Sequence, residues 1–159
     1  MNRGRNNQLI LHALSQIDGL NQTAIARYGK ERVAVVTGTS TSGADENIPL
    51  FQHVVQGGEW TDVPFKQLQH TMASPSEFIA RVYGLDGLRY TVSTACTSGA
   101  RALISAARLL RAGLCDAVIC GGADTLSPLT INGFASLEVL SDGIAKPFSA
   151  NRTGINIGE

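Results

Sequence analysis

At 159 residues the chain is long enough for one ordinary domain that buries its own core without disulfide or metal staples. Its 13 basic residues balance 13 acidic ones and no long block of like charge breaks the pattern, which excludes a nucleic-acid or membrane-surface role built on net charge. The 43% hydrophobic content excludes a mainly disordered chain. The apolar runs fall far short of the roughly 20 residues a membrane-spanning helix needs.

The cysteines are an odd set, Cys96, Cys115 and Cys120, and no signal-peptide pattern opens the chain. Reduced thiols in a cytoplasmic setting are therefore expected. Residues 1–7 are polar and read as a frayed start. Leu9, Ile10, Ala13, Leu14 and Ile17 then recur at helical spacing until Asp18-Gly19, and a second short helix is expected from Asn21 to Tyr28, closed by Gly29.

Arg32 to Thr37 is a continuous apolar, β-branched run suited to a strand covered on both faces. The small polar loop that follows, up to Gly43, lacks the lysine of a Walker loop and the G-x-G-x-x-G of a dinucleotide site, so it reads as pocket lining or turn chemistry. Residues 44–73 form an irregular or partly helical excursion. His53 and His70 lie there, and with His12 they share no metal-ligand spacing with one another or with the cysteines.

Ser74-Pro75-Ser76-Glu77 has the order of a capping box opening a helix, with Phe78, Ile79, Val82 and Tyr83 on its apolar side. Tyr90, Thr91 and Val92 continue into a buried strand over 89–93. Cys96 then sits where that strand gives way to a helix whose face is marked by Ala100, Leu103, Ile104, Ala107 and Leu110. Arg101, Arg108 and Arg111 read as its solvated side. A thiol at a strand-to-helix turn faces unpaired N–H groups and the positive end of the helix, both of which favour the thiolate, so Cys96 reads as a nucleophile. The competing reading of a cysteine is a small buried hydrophobe. Cys115 to Cys120 forms another buried strand, with both thiols structural, and strand, helix and strand make a right-handed βαβ unit. Leu126 to Ser136 is expected to be partly helical, and the final stretch leads toward another strand.

Ser93-Thr-Ala-Cys-Thr-Ser-Gly99, Gly113, Asp116, Gly121-Gly-Ala-Asp124, Gly133-Phe134, Leu140-Ser141, Pro147-Phe148, Arg152, Gly154 and Gly158-Glu159 together resemble the β-ketoacyl-acyl-carrier-protein synthases, most of all their elongating branch. The resemblance runs from about Arg32 to the end. It implies a thiolase-like α/β fold, a largely parallel mixed sheet with helices on both faces, and a subunit of two similar halves. On that pattern residues 1–159 are a truncated N-terminal synthase domain, without the first strand and without the C-terminal half that carries the family's two histidines and lysine.

The activity implied is decarboxylative condensation of malonyl-carrier protein with an acyl group held on Cys96. Phe134 matches a phenylalanine beside the acyl channel. No cofactor or metal is implied; the partners implied are an acyl carrier protein with acyl and malonyl thioesters, and a second subunit, identical or related, paired through the strand leading to the nucleophile. Asp124 stands where the family commonly has glutamate, and Ser149 and Thr153 where it commonly has aspartate. Three other readings stand beside this one: a thiolase or initiating-type enzyme; a non-catalytic chain-length partner, which typically lacks the cysteine; and a cysteine hydrolase using His70 as base, for which the local protease signatures are absent.

Overall fold

Val33–Gly38 (β1) is the strand around which the first part of the chain is built, and all six of its residues are buried. The computed structural model describes residues 4–159; the beginning of the polar start, residues 1–3, lies outside them. On either side of β1, Arg89–Val92 (β2) and Ala117–Gly122 (β3) pair with it in parallel, giving the order β2-β1-β3. An apolar run without alternation suits this central position, because both of its faces are covered. The register places Gly38 opposite both Val92 and Gly122, so the three carboxyl ends finish level.

Helices cover both faces. Arg5–Ser15 (α1), Asp18–Tyr28 (α2) and Ser74–Tyr83 (α5) enclose a core of Ile10, Leu14, Val33, Val35, Phe78, Ile79, Leu85 and Ile119, joined by Ile25. Ser98–Arg111 (α6) packs on the opposite face. Between β1 and α5 the chain makes a 3₁₀ turn at Ala44–Asn47 and two short helices, Ile48–Val55 (α3) and Gln67–His70 (α4), in keeping with the expected excursion. The chain divides into a first compact unit ending at Asp124 and a second, Thr125–Glu159. The second holds helix α7 (Pro128–Ser136), capped by Ser127 Oγ accepting from Leu129 N, and an isolated parallel bridge between Leu140 and Ile155. There Ser141 and Thr153 bond through their hydroxyls, and Ser149 donates to Asn151.

Several expectations are corrected. Residues 5–7 are helical rather than frayed, with Asn6 and Asn7 buried in α1. Asp18 and Gly19 open α2 instead of ending the first helix. The capping box does not form: Ala73 is the N-cap, Ser74 Oγ accepts from Asn7 Nδ2 of α1, and Glu77 receives Arg89 Nε at 2.9 Å. Tertiary partners have taken the groups that a local cap would use. Strands β2 and β3 are edges, not fully buried: Tyr90 is half-exposed, Cys120 is exposed, and Ile119 is the one buried residue of β3.

The apolar face of α6 is also turned. Ala102 and Ala106 are buried against the sheet, while Leu103 and Ile104 are about half exposed, at 56% and 50%. The first turn of the helix lies close against the sheet at Gly38 and Gly122, and the buried positions that follow on that side are both alanine.

The entry to β1 is clipped to the α6–β3 turn. Arg32 Nε donates to Asp116 Oδ2 at 2.7 Å, and its terminal nitrogens donate to the Gly113 and Leu114 carbonyls. The hydrogen bond from Arg32 holds the Asp116 carboxyl below its ordinary value of 3.8. A lowered carboxyl contributes stability that is fully present above the ordinary value and is lost as pH falls through the lowered one. Denaturant unfolding of wild type and Asp116→Asn should therefore differ by a constant amount from about pH 7 to about pH 5 and converge below about pH 4. Both groups are more than 40% exposed, so the difference should be small and fall with salt. A gap that widened toward low pH would contradict the assignment. No helix among the described residues is long and apolar enough to cross a membrane.

Candidate active site

Level strand ends place three loops together at the carboxyl edge of the parallel sheet, the edge where α/β folds characteristically bind ligands. They are residues 39–43 after β1, residues 93–97 after β2, and Ala123-Asp124 after β3.

Cys96 lies in the second loop. It is exposed, and Sγ makes no hydrogen bond among the described residues. The residue before it, Ala95, has φ +54°, a left-handed conformation that alanine rarely adopts. Hydroxyl groups hold the turn shut. Ser98 Oγ, on a residue 3% exposed, accepts from Thr94 N at 2.9 Å and donates to Ala95 O at 2.6 Å. Thr97 Oγ1 donates to Thr94 O at 2.9 Å, and the Thr94 and Thr97 hydroxyls meet at 3.0 Å. The bland reading of Cys96 as a buried apolar residue does not hold.

The start of α6 is set against the sheet by three glycines. A methyl group on Gly38 would lie 2.6 Å from the carbonyl carbon and oxygen of Ser98 and 2.8 Å from Gly99 N. One on Gly122 would lie 3.3 Å from Gly38 O and 3.5 Å from Gly99 Cα. Backbone approaches backbone here because no side chain intervenes. The cysteine turn is thereby fixed relative to β1 and β3.

Asp124 fastens the loop after β1. Its Oδ1 accepts from Thr39 Oγ1 at 2.8 Å, Ser40 N at 2.7 Å and Thr41 N at 3.2 Å. Thr39 Oγ1 also accepts from Ser42 N, and Thr39 N donates to Val92 O. The carboxylate is thus joined, through Thr39, to the end of the strand that leads to Cys96. Below this edge Thr37, Thr91 and Ser76 form a line of hydroxyl contacts linking β1, β2 and α5. Neither the hydrogen-bonding role of Ser98 nor that of Asp124 follows from the sequence, where the one signal is an acid just after a strand ending in Gly-Gly.

The other candidates lie apart. His70 Nδ1 is 3.3 Å from Asn47 Nδ2 and its ring packs on Phe65, so nothing pairs it with the sulfur of Cys96. His53 Nε2 meets Asp62 Oδ2 at 2.8 Å, and that bond holds the Asp62 carboxyl low; His12 is exposed on α1. Burial pushes the Cys115 thiol up. Cys120 is raised by the same cause, through the part of its side chain that the sheet covers. Phe134 is half-buried on α7, in the second unit. Beside the cysteine turn runs an open groove of about 450 Å³, which takes in Val92, Thr97, Ile104, Arg101 and Arg108. Among the described residues no three His, Cys, Asp or Glu side chains are grouped to hold a metal ion.

Comparison with known proteins gives the same outline. Residues 12–159 match the family described as Beta-ketoacyl synthase, N-terminal domain. The chain is 31% identical to the tetracenomycin polyketide synthase ketoacyl synthase alpha subunit of Streptomyces glaucescens, over 89% of this chain and 35% of that protein. Among solved structures it resembles the ketosynthase ApeO in complex with its chain length factor ApeC from Xenorhabdus doucetiae, at 47% identity and a TM-score of 0.85, covering 96% of this chain and 39% of that one. The ishigamide ketosynthase/chain length factor matches at 28% identity and a TM-score of 0.80, with 96% and 38% covered. The chain thus spans little more than a third of the length of these relatives. The match over residues 12–159 shows that this chain belongs to the beta-ketoacyl synthase family, within the N-terminal domain.

Proposed function

We propose that Cys96 is the acyl-accepting nucleophile of a ketosynthase that condenses thioesters carried on an acyl carrier protein. The observation that carries this reading is the exposed thiol on a hydroxyl-bound turn at the carboxyl end of β2. In the loading step the Cys96 sulfur attacks the acyl thioester carbonyl, a new carbon–sulfur bond forms, and the carrier thiolate leaves. The Cys96 backbone N–H serves the developing oxyanion. In the condensation step a malonyl thioester loses carbon dioxide, its carbanion attacks the acyl group, and Cys96 is released as the thiolate. Phe134 is assigned to the acyl channel, and the free thiols suit a reducing, cytoplasmic compartment.

Relatives named for polyketide synthesis and for a chain length factor favour a polyketide-type pathway over primary fatty-acid synthesis. They also support a second reading of the partner, a related but non-identical subunit in place of a homodimer. Edge strand β2, with Tyr90 partly exposed, is the surface assigned to that pairing. Native mass spectrometry of the chain, alone and with a chain-length-type subunit, tests this part of the reading. A mixed dimer is the expected species, and a homodimer that persists in the presence of the second subunit would overturn it. Acyl transfer to Cys96→Ala tests the nucleophile.

A further inference from the structure

The turn that carries Cys96 contains a conformational conflict and, two residues beyond the thiol, the group that resolves it. Ala95 is left-handed at φ +54°, a conformation in which the Cβ crowds the following carbonyl oxygen. Such a conformation persists only where its surroundings over-determine it. The Ser98 hydroxyl does so from both sides of Ala95, accepting from the N–H of Thr94 before it and donating to the carbonyl of Ala95 itself. Ser98 is buried, so its hydroxyl takes its partners from these two backbone groups, on the exposed residues Thr94 and Ala95. The same carbonyl takes a second bond, from Ser98 N at 2.9 Å. Thr97 could not replace it: its hydroxyl reaches Thr94 O and touches no atom of Ala95.

We infer that Ser98 is a positioning residue whose buried hydroxyl latches Ala95 in its left-handed conformation and so turns the Cys96 thiol outward from the sheet edge. The inference deepens the reading of Cys96 as nucleophile and rests on it. Ser98 touches no reacting atom; it acts through the backbone that aims one.

Two rates measured on the chain separate the latch from the nucleophile assignment. One is alkylation of Cys96 by iodoacetamide, resolved by peptide mass, with exposed Cys120 as the reference and buried Cys115 as the reporter of fold. The other is acyl transfer from an acyl-carrier thioester. Loss of the two Ser98 hydroxyl bonds should make Ser98→Ala about tenfold slower in both at Cys96, with Cys120 unchanged. Ser98→Thr, which keeps the hydroxyl, should stay within a few-fold of wild type. The deciding variant is Ala95→Gly/Ser98→Ala. Glycine enters the left-handed region without strain, so the double variant should recover most of the lost rate.

Wild-type rates in Ser98→Ala, or a double variant as slow as Ser98→Ala, would overturn the latch. Should Ser98→Ala alone unfold, seen as alkylation of Cys115, a double variant that protects Cys115 and reacts at Cys96 supports it, and one that also unfolds overturns it. A wild-type chain that takes no acyl group, yet shows the same alkylation pattern across the variants, would keep the latch and remove the acyl-transfer reading.

Discussion

Gly38→Ala should lower stability by roughly 1–3 kcal/mol, or about 3–10 °C in Tm for a chain of this size. The added methyl would stand 2.6 Å from the Ser98 carbonyl, which belongs to backbone and has no rotamer to escape into. Relief requires α6 to move off β1, and α6 carries the end of the cysteine turn. Acyl transfer to Cys96 should therefore fall with stability, even at temperatures where the variant stays folded. Gly122→Ala is the matched control, because its methyl would meet Gly38 O at 3.3 Å, a contact relieved by a few tenths of an ångström. Thermal unfolding by circular dichroism checks both, and equal Tm values for Gly38→Ala and wild type would contradict the close approach.

Asp124→Ala should cost roughly 1.5–3 kcal/mol, the range for hydrogen bonds to a charged group, since it strands three donors at once. Of these the hydroxyl of Thr39 matters most, because Thr39 is fully buried and its N–H holds Val92 O at the end of β2. Asp124→Asn keeps an acceptor in place while removing the charge, and should lose about half as much. Chemical denaturation gives the ordering, wild type above Asn above Ala. Amide hydrogen exchange adds the local test: protection at Ser40 and Thr41 should drop in Asp124→Ala before protection in β1 does. An unchanged exchange pattern would show that the loop holds itself.

Much of this architecture could be read from the residues. The β1 run has no alternation, and it is the strand buried on both faces. The strand, cysteine, helix and strand over 89–122 form the parallel unit expected of them. The misreadings share one physical cause, which is that tertiary partners outrank local pattern. The leucines of α6 have the spacing of a core face, yet the helix starts in close contact with Gly38 and Gly122 and turns Ala102 and Ala106 to the sheet instead. Ser74 and Glu77 had the order of a capping box, yet they bond to Asn7 and Arg89, distant in sequence. At the site the cysteine was legible because a thiol at a strand-to-helix turn is chemically distinctive. Ser98 and Asp124 were not, because a small hydroxyl and a lone acid become informative only once the backbone shows which groups they bind.

Acyl acceptance by Cys96 is read from the intact mass of the chain after incubation with an acyl-carrier thioester, beside Cys96→Ala. A single acyl adduct is expected on the wild-type chain, mapped to the peptide containing Cys96, and none on the variant. An adduct that persists in Cys96→Ala, or that maps to Cys120, would contradict it.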